Sequence, residues 1–317
     1  MFREQCTVIE NRNIAPGHRV LRLASARISR NAKPGQFVQI LCANSTDPLL
    51  PRPFSFLSVS KKDFSILYQV VGCGTNILSQ AAKGDSVWVL GPLGNGFSMP
   101  SRQKTVDSRQ EKQRGFLYPV YSLQSTIILV GGGVGIPPLY HLAQHLVTLS
   151  ARKQGSAHAN SRLRGNNRIH VFLGARNSSL LLCEKDFKKL GVDIKVSTDD
   201  GSKGTKGFVT EILEEFLKSR QKTEDRRQEK QNSSLSTDYC LPSAQIFTCG
   251  PTPMLKAVAT VSKKHKLPCE VSVEVPMACG FGACLGCAIE VDDSKGRRFA
   301  VACTEGPVFC AKEIVWK

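Results

Sequence analysis

The chain has no run of about eighteen or more apolar residues, the least that a membrane-crossing helix requires, so no span is expected. Its first residues, Met1 to Glu10, carry no apolar segment of signal-peptide length and read as the start of a strand. The 6 histidines form no metal-spaced constellation. His141 and His145 share a face of a predicted helix, but no acidic third ligand lies nearby, and a packing or surface role suits them better. A disulfide framework is also missing: 12 cysteines are scattered over 317 residues without a leader, which points to a reducing cytoplasm.

Acidic residues are few. Against 43 Lys and Arg stand 26 Asp and Glu, a formal net charge of +17 that resembles a nucleic-acid binder. The placement of the charge argues otherwise. Ser101 to Gln113 recurs as Ser219 to Gln231, identical at eleven of thirteen positions, with Val106 replaced by Glu224 and Ser108 by Arg226. Both copies lack an apolar face and cannot offset the entropy of ordering. They read as solvent-exposed loop insertions, as does the basic stretch Arg152 to Arg168, so no nucleic-acid partner is expected.

What remains is long enough for two or three domains. Residues 1–98 hold short strand candidates separated by turns, Phe37 to Cys42, Phe54 to Ser60 and Phe64 to Val71, the pattern of a small β-barrel. Residues 99–124 form a polar insertion and linker. Over 125–267 apolar runs alternate with helical patterns, from Thr126–Val130 and a helix through Leu139–Leu149 to Ile246–Cys249 and Met254–Lys264. That order implies an open parallel α/β sheet, with insertions near 152–168 and 219–240. Residues 268–317 make a separate small module. The fold class is thus multidomain, β plus α/β.

Chemistry gathers at three places. Cys279-Gly-Phe-Gly-Ala-Cys284-Leu-Gly-Cys287, with Cys303 beyond, offers four thiolates that can close around a two-iron, two-sulfide cluster. Structural zinc is the competing reading, although Cys-x2-Cys pairs suit it better than this spacing. Gly131-Gly132-Gly133-Val134-Gly135 directly follows a buried strand, where glycine lets the backbone approach a pyrophosphate, and Cys249-Gly250-Pro251 ends the last parallel strand. Both loops lie beyond strand C-termini, where ligands of such sheets sit, though a tight turn without ligand remains open. In the barrel, Arg52 offers a phosphate partner and Ser55 a hydrogen bond to a flavin edge, while Gly72-Cys73-Gly74-Thr75 precedes a helical run. Arg176 and Asp199-Asp200 are further candidates for the nucleotide side; Cys6, Cys42, Cys73, Cys183, Cys240 and Cys269 read as small hydrophobes or surface thiols.

The succession Arg52-Pro53-Phe54-Ser55, Gly72 to Thr75, Gly91-Pro92-Leu93-Gly94, Gly131 to Pro138, Ser197 to Gly201 and Cys249-Gly250-Pro251 resembles the ferredoxin reductase superfamily of flavoproteins. The last segment, Glu274 to Cys287 and Cys303 to Phe309, is similar to the electron-transfer subunits of class B dihydroorotate dehydrogenases, apart from Cys310, where an acidic residue is expected. The resemblance implies a ferredoxin-reductase-like barrel binding FAD through Arg52, Pro53, Phe54, Ser55, Gly72, Gly74 and Thr75. It implies that Gly131, Gly132, Gly133, Gly135, Cys249, Gly250 and Pro251 receive NAD, and that Cys279, Cys284, Cys287 and Cys303 hold a 2Fe-2S cluster. The implied partner is an FMN-containing catalytic subunit that oxidises dihydroorotate in pyrimidine synthesis, in a heterotetramer of two of each. Electrons would pass from that FMN through cluster and FAD to NAD, because a flavin alone can join one-electron and hydride chemistry. Two alternatives stay open: a subunit exchanging electrons with ferredoxin or with sulfur or hydrogen metabolism, and a redox-inactive scaffold.

Overall fold

The computed structural model describes residues 1–43, 45–99, 126–153, 169–230 and 244–317. The first repeat copy, the stretch from 154 to 168 and Cys240 lie outside them, and side chains are described up to 150 in the first long helix and 221 in the second.

Six antiparallel strands close a barrel. They are β1 (Phe2–Ala15), β2 (His18–Ala24), then, after the short helix α1 (Ala26–Asn31), β3 (Phe37–Leu41), β4 (Arg52–Val59) and β5 (Asp63–Gln69), and after α2 (Cys73–Gln80), β6 (Ser86–Leu93). The order is β1-β2-β5-β4-β3-β6, with β6 returning to β1. Period-two alternation fills the interior: Val38 and Ile40 point inward to meet Phe56, Phe64, Ile66 and Leu23. Phe37 and Gln39 consequently face outward, yet both are buried, because another part of the chain covers that face.

The second unit comprises β7 (Thr126–Gly132), α3 (Ile136–Lys153), β8 (Ile169–Ala175), α4 (Glu184–Lys189), β9 (Asp193–Thr198), β10 (Thr205–Lys206), α5 (Val209–Lys230), β11 (Ala244–Cys249), α6 (Thr252–Lys264) and β12 (Cys269–Ser272). The next three strands are β13 (Ala288–Asp293), β14 (Gly296–Val301) and β15 (Val308–Cys310). Its seven-stranded sheet runs β10-β9-β8-β7-β11-β12-β15, parallel except for the last pair. Strand β7 is buried at every position, as expected of a central parallel strand covered on both faces.

One face is covered by α3, which buries Ile136, Leu139, Leu142, Ala143 and Leu146 at helical spacing. The same cluster contains Val20, Leu57, Leu67 and Phe97, so barrel and sheet share one core. The other face carries α5 and α6, through Val209, Ile212, Leu213, Leu217, Leu255 and Val258.

Two sequence expectations change here. The second repeat copy is not a loop as far as Lys230, since α5 runs through it. The amphipathic turn Val209–Leu217 nucleates the helix, and Gln, Lys, Glu and Arg propagate it at little cost. The strands after residue 268 do not stand apart either: β12 and β15 are strands of the large sheet, and only the hairpin β13-β14 lies outside it. The buried strand Cys269–Ser272 supplies the edge that β15 completes.

Candidate functional site

Two clefts meet between barrel and sheet. The first, about 330 Å³, is lined by Arg52, Pro53, Phe54, Ser55, Tyr68 and Thr75 from the barrel and by Val134, Cys249, Ser272, Glu274, Val275 and Met277 from the other side. The second, about 600 Å³, lies over the C-terminal ends of the parallel strands. Its walls include Gly132, Gly133, Gly174, Arg176, Asp199, Thr210, Pro251 and Met254. Val134 and Gln69 line both clefts, so the two spaces share a wall.

Arg52 lies against the N-terminus of α2: a Cβ on Gly74 would sit 3.3 Å from its Nε. Among the described residues the guanidinium donates only to backbone carbonyls, Leu50 O at 2.6 Å and Pro51 O at 3.4 Å. A helix N-terminus and an arginine without an acidic partner combine into a positive pole suited to a pyrophosphate. Gly72 and Gly74 belong to that helix start rather than to the cleft lining, and Thr75 is occupied. Its hydroxyl accepts from the N–H groups of Val71 and Gly72, at 2.9 and 3.1 Å, and so caps the helix.

The glycines at the end of β7 and just beyond it divide their work. Gly132 and Gly133 face the larger cleft. Gly131 and Gly135 do not: a Cβ at Gly131 would lie 2.9 Å from Leu139, and one at Gly135 would lie 2.4 Å from Gly250 N. Their smallness lets α3 dock on its strand and lets the two sequence-predicted loops touch. Gly250 likewise serves that contact, while Pro251 lines the cleft.

Cys249 opens onto the smaller cleft, not the larger. Burial, and then the nearby Glu274 carboxylate, push its thiol well above the ordinary range, so it stays protonated. Glu274 opens onto the same cleft, and the protein around it raises its own carboxyl. Sequence reading missed Glu274, Ser272, Tyr68, Gln69, His18 and Thr210 as lining residues. Glu274 opens the C-terminal segment that carries the resemblance, without a role read for it there; for the others only their place at a strand end or beside a named loop could have indicated them.

The four cysteines come together in pairs. Cys279 and Cys284 share a hydrogen bond, as do Cys287 and Cys303, and Cys303 also feels the charge of Cys279. Burial acts to raise the Cys279 thiol, but the N–H groups of Phe281, Cys284 and Ala283, with the Cys284 side chain, outweigh it and hold it down at about 6. Cys303 is pushed up to about 12 by burial and by Cys287. Gly286 N–H reaches Cys284 Sγ at 3.5 Å, and Cys303 N–H reaches Cys287 Sγ at 3.4 Å. Positive φ at Gly280, Gly282 and Leu285 turns these donors inward. Among the described residues no three His, Cys, Asp or Glu side chains form a group able to hold a single metal ion. Paired free thiols ringed by N–H donors do suit a larger polynuclear cluster, whose sulfurs accept such bonds.

This segment is fastened on both sides. Asn95, just beyond β6, donates to Thr304 O at 3.1 Å and Glu305 O at 2.9 Å. Arg298 bridges Asp293 and Glu305, each at 2.7 Å. Cys287 and Cys303 pack in an apolar cluster with Phe37, Leu93 and Phe309, against which Val275 and Met277 lie.

Over residues 274–315 the chain matches the iron-sulfur cluster binding domain of dihydroorotate dehydrogenase B, and over 129–260 an oxidoreductase NAD-binding domain. It is 32% identical over 306 residues to the dihydroorotate dehydrogenase B (NAD(+)) electron transfer subunit of Desulforamulus reducens, covering 96% of this chain and 95% of that one. The chain belongs to that family. The same subunit from Geobacillus kaustophilus is 35% identical, with 99% of this chain and 98% of its own covered. Among solved structures, a chain of the NADH-dependent reduced ferredoxin-NADP oxidoreductase, studied for flavin-based electron bifurcation, superposes with a TM-score of 0.70 at 25% identity, over 98% of this chain and 90% of that one. The cytochrome b5 reductase domain of Ulva prolifera nitrate reductase shares the fold of barrel and sheet, with a TM-score of 0.56 at 16% identity over 84% of this chain and 95% of its own. Family membership thus agrees with the arrangement of barrel, parallel sheet and cysteine segment.

Proposed function

We propose that this chain is the NAD-linked electron-transfer subunit of a dihydroorotate dehydrogenase, an oxidoreductase subunit that uses FAD, a 2Fe-2S cluster and NAD. The observation that carries this reading is the sharing of walls. Val134 and Gln69 belong to both clefts, and Phe37, Val275 and Met277 belong both to the smaller cleft and to the apolar packing around Cys287 and Cys303. Each of the three binding regions therefore shares wall residues with the next.

In this reading the barrel of residues 1–98 binds FAD. Arg52 and the start of α2, Gly72 to Thr75, would neutralise its pyrophosphate, and Pro53, Phe54 and Ser55 would border its ring. The α/β unit of 125–267 would receive NAD over Gly132, Gly133 and Pro251, with Arg176 and Asp199 toward the ribose end. Cys279, Cys284, Cys287 and Cys303, within 268–317, would hold the cluster. When bound, the flavin exchanges hydride with nicotinamide and single electrons with the iron-sulfur centre. The chain's own residues supply position and electrostatics: Cys249 keeps a neutral thiol where the clefts meet, and the inward N–H groups balance negative charge at the thiolates.

An electron-transfer subunit implies a catalytic partner, here an FMN-containing subunit that oxidises dihydroorotate, two copies of each forming the assembly. Phe281 and Leu285, which flank the exposed Cys284, are 50% and 61% exposed and offer an apolar rim for it. The free thiols among the described residues suit a cytoplasmic setting, and no described helix is long and apolar enough to cross a membrane.

The test is dihydroorotate-dependent reduction of NAD by the anaerobically purified chain mixed with its host's FMN subunit, each alone as control. Activity confined to the mixture is expected. A mixture with flavins and cluster spectroscopically present but no activity overturns the assignment in favour of a ferredoxin-linked subunit.

A further inference from the structure

Gln39 is a carboxamide in an apolar strand, Phe37-Val-Gln-Ile-Leu41, and it is 1% exposed. Both of its polar atoms, Nε2 and Oε1, are buried without a hydrogen-bond partner among the described residues. A burial of this kind is unfavourable unless something pairs with the group. Alternation along β3 points the side chain out of the barrel, on the face shared with Phe37. There it meets the cysteine segment at Gly280: a Cβ built on Gly280 would lie 2.6 Å from Gln39 Cγ and 3.0 Å from Nε2. The unpartnered amide therefore lies against the residue next to Cys279.

We propose that Gln39 is a barrel-borne hydrogen-bond donor to the iron-sulfur centre, its carboxamide N–H pairing with a sulfur on the Cys279 side and raising the centre's reduction potential. This rests on the proposed binding of the cluster by the four cysteines. Reduction adds negative charge to the sulfurs, and a donor aimed at them stabilises the reduced form more than the oxidised one. The sequence environment supports a dedicated role. A hydrophobic residue at this position would fill the same space between Gly280 and Leu93 without leaving two buried polar atoms, so packing alone gives no reason for glutamine. The contact also explains glycine at 280, where φ is +80° and no side chain has room.

The experiment is an EPR-monitored redox titration of the anaerobically purified full chain, native, Gln39→Leu and Gln39→Glu, with the flavin potential recorded as an internal reference. The cluster potential is expected to fall in Gln39→Leu and further in Gln39→Glu, which adds a carboxylate, while the flavin potential stays in place. Unchanged cluster potentials in both variants at full cluster occupancy overturn the proposal and leave Gln39 a spacer. If the variants lose the cluster, the native chain decides. Side-chain 15N-glutamine labelling is expected to produce a weak 15N hyperfine coupling to the reduced cluster, and absence of that coupling overturns the proposal equally. Failure of the native chain to show a two-iron signal at all would instead sink the underlying cluster assignment, so the two failures are distinct.

Discussion

The loop after β7 and the segment from Cys279 to Cys287 are both rich in glycine, yet glycine does different things in them. Gly131 and Gly135 are there because nothing larger fits: Leu139 and Gly250 occupy the space a Cβ would take. In the cysteine segment Gly280 and Gly282 adopt positive φ, which aims the following N–H groups at sulfur. Gly131 and Gly135 serve closeness alone, whereas Gly280 and Gly282 add direction, Gly280 also sitting tight against Gln39. A glycine-rich stretch thus does not announce a phosphate by itself; what its backbone N–H groups face decides the ligand.

The largest way to break this comparison is Cys303→Ser. It removes a thiol while leaving every glycine in place, and it should abolish the visible absorbance and EPR signal of the cluster. NADH-dependent flavin reduction with an artificial acceptor should persist; loss of that activity as well would show that the two regions are not separable. Gly135→Ala probes the other side. A Cβ 2.4 Å from Gly250 N forces the two loops apart, a cost of about 1–3 kcal/mol. The expected result is a higher KM for NADH and a lower melting temperature with the cluster spectrum intact, and an unchanged KM would refute the loop contact.

Smaller effects sharpen the contrast. Leu285→Asp places a charge on the exposed rim of the cysteine segment, and affinity for the catalytic subunit should fall roughly tenfold, as for loss of one good interface residue. Sedimentation or surface-binding assays would check this, and an unaltered affinity would remove the rim from the interface.

His141, on α3 between sheet and barrel, gives a pH signature that belongs to the first region alone. Burial, then repulsion from His145, holds its pKa down at about 3, below the 6.5 of an unfolded histidine. Between those values the unfolded chain binds the proton and the folded chain does not, so stability is lost as pH falls. The loss is about 1 kcal/mol per pH unit below pH 6. Denaturant unfolding of the native chain and of His141→Phe at pH 7 and pH 5 should show a shallower fall in the variant; identical slopes would assign the acid sensitivity to other groups.

Much of this was legible in the residues. The short apolar runs Phe37 to Cys42 and Phe64 to Val71, bounded by turn residues, marked barrel strands, and the apolar runs before Gly131 and before Gly250 marked parallel ones, because such runs are local properties of a strand. The cysteine spacing indicated the cluster segment for the same reason. The capping role of Thr75 was not legible, because capping and anion binding use the same residue types at a helix start. The division of Gly131 to Gly135 into packing and lining positions depends on Leu139, Met254 and Gly250, which only the fold brings close. The edge position of β15, paired with β12 across the whole cysteine segment, and the junction of Gln39 with Gly280, across most of the chain, are encoded by no local pattern. Gln39 did leave one trace, a polar residue inside an apolar strand.

The ladder between β12 and β15 has a dynamic consequence. Glu270 opposite Cys310, Val271 opposite Phe309 and Ser272 opposite Val308 pin both ends of the cysteine-bearing excursion to one sheet edge. A carrier on a free linker delivers its cargo by diffusing, at a rate set by tether length and effective concentration. An excursion clamped at both feet has no such swing. Internal transfer in this chain should therefore be indifferent to solvent viscosity, and only the encounter with the catalytic subunit should slow in glycerol.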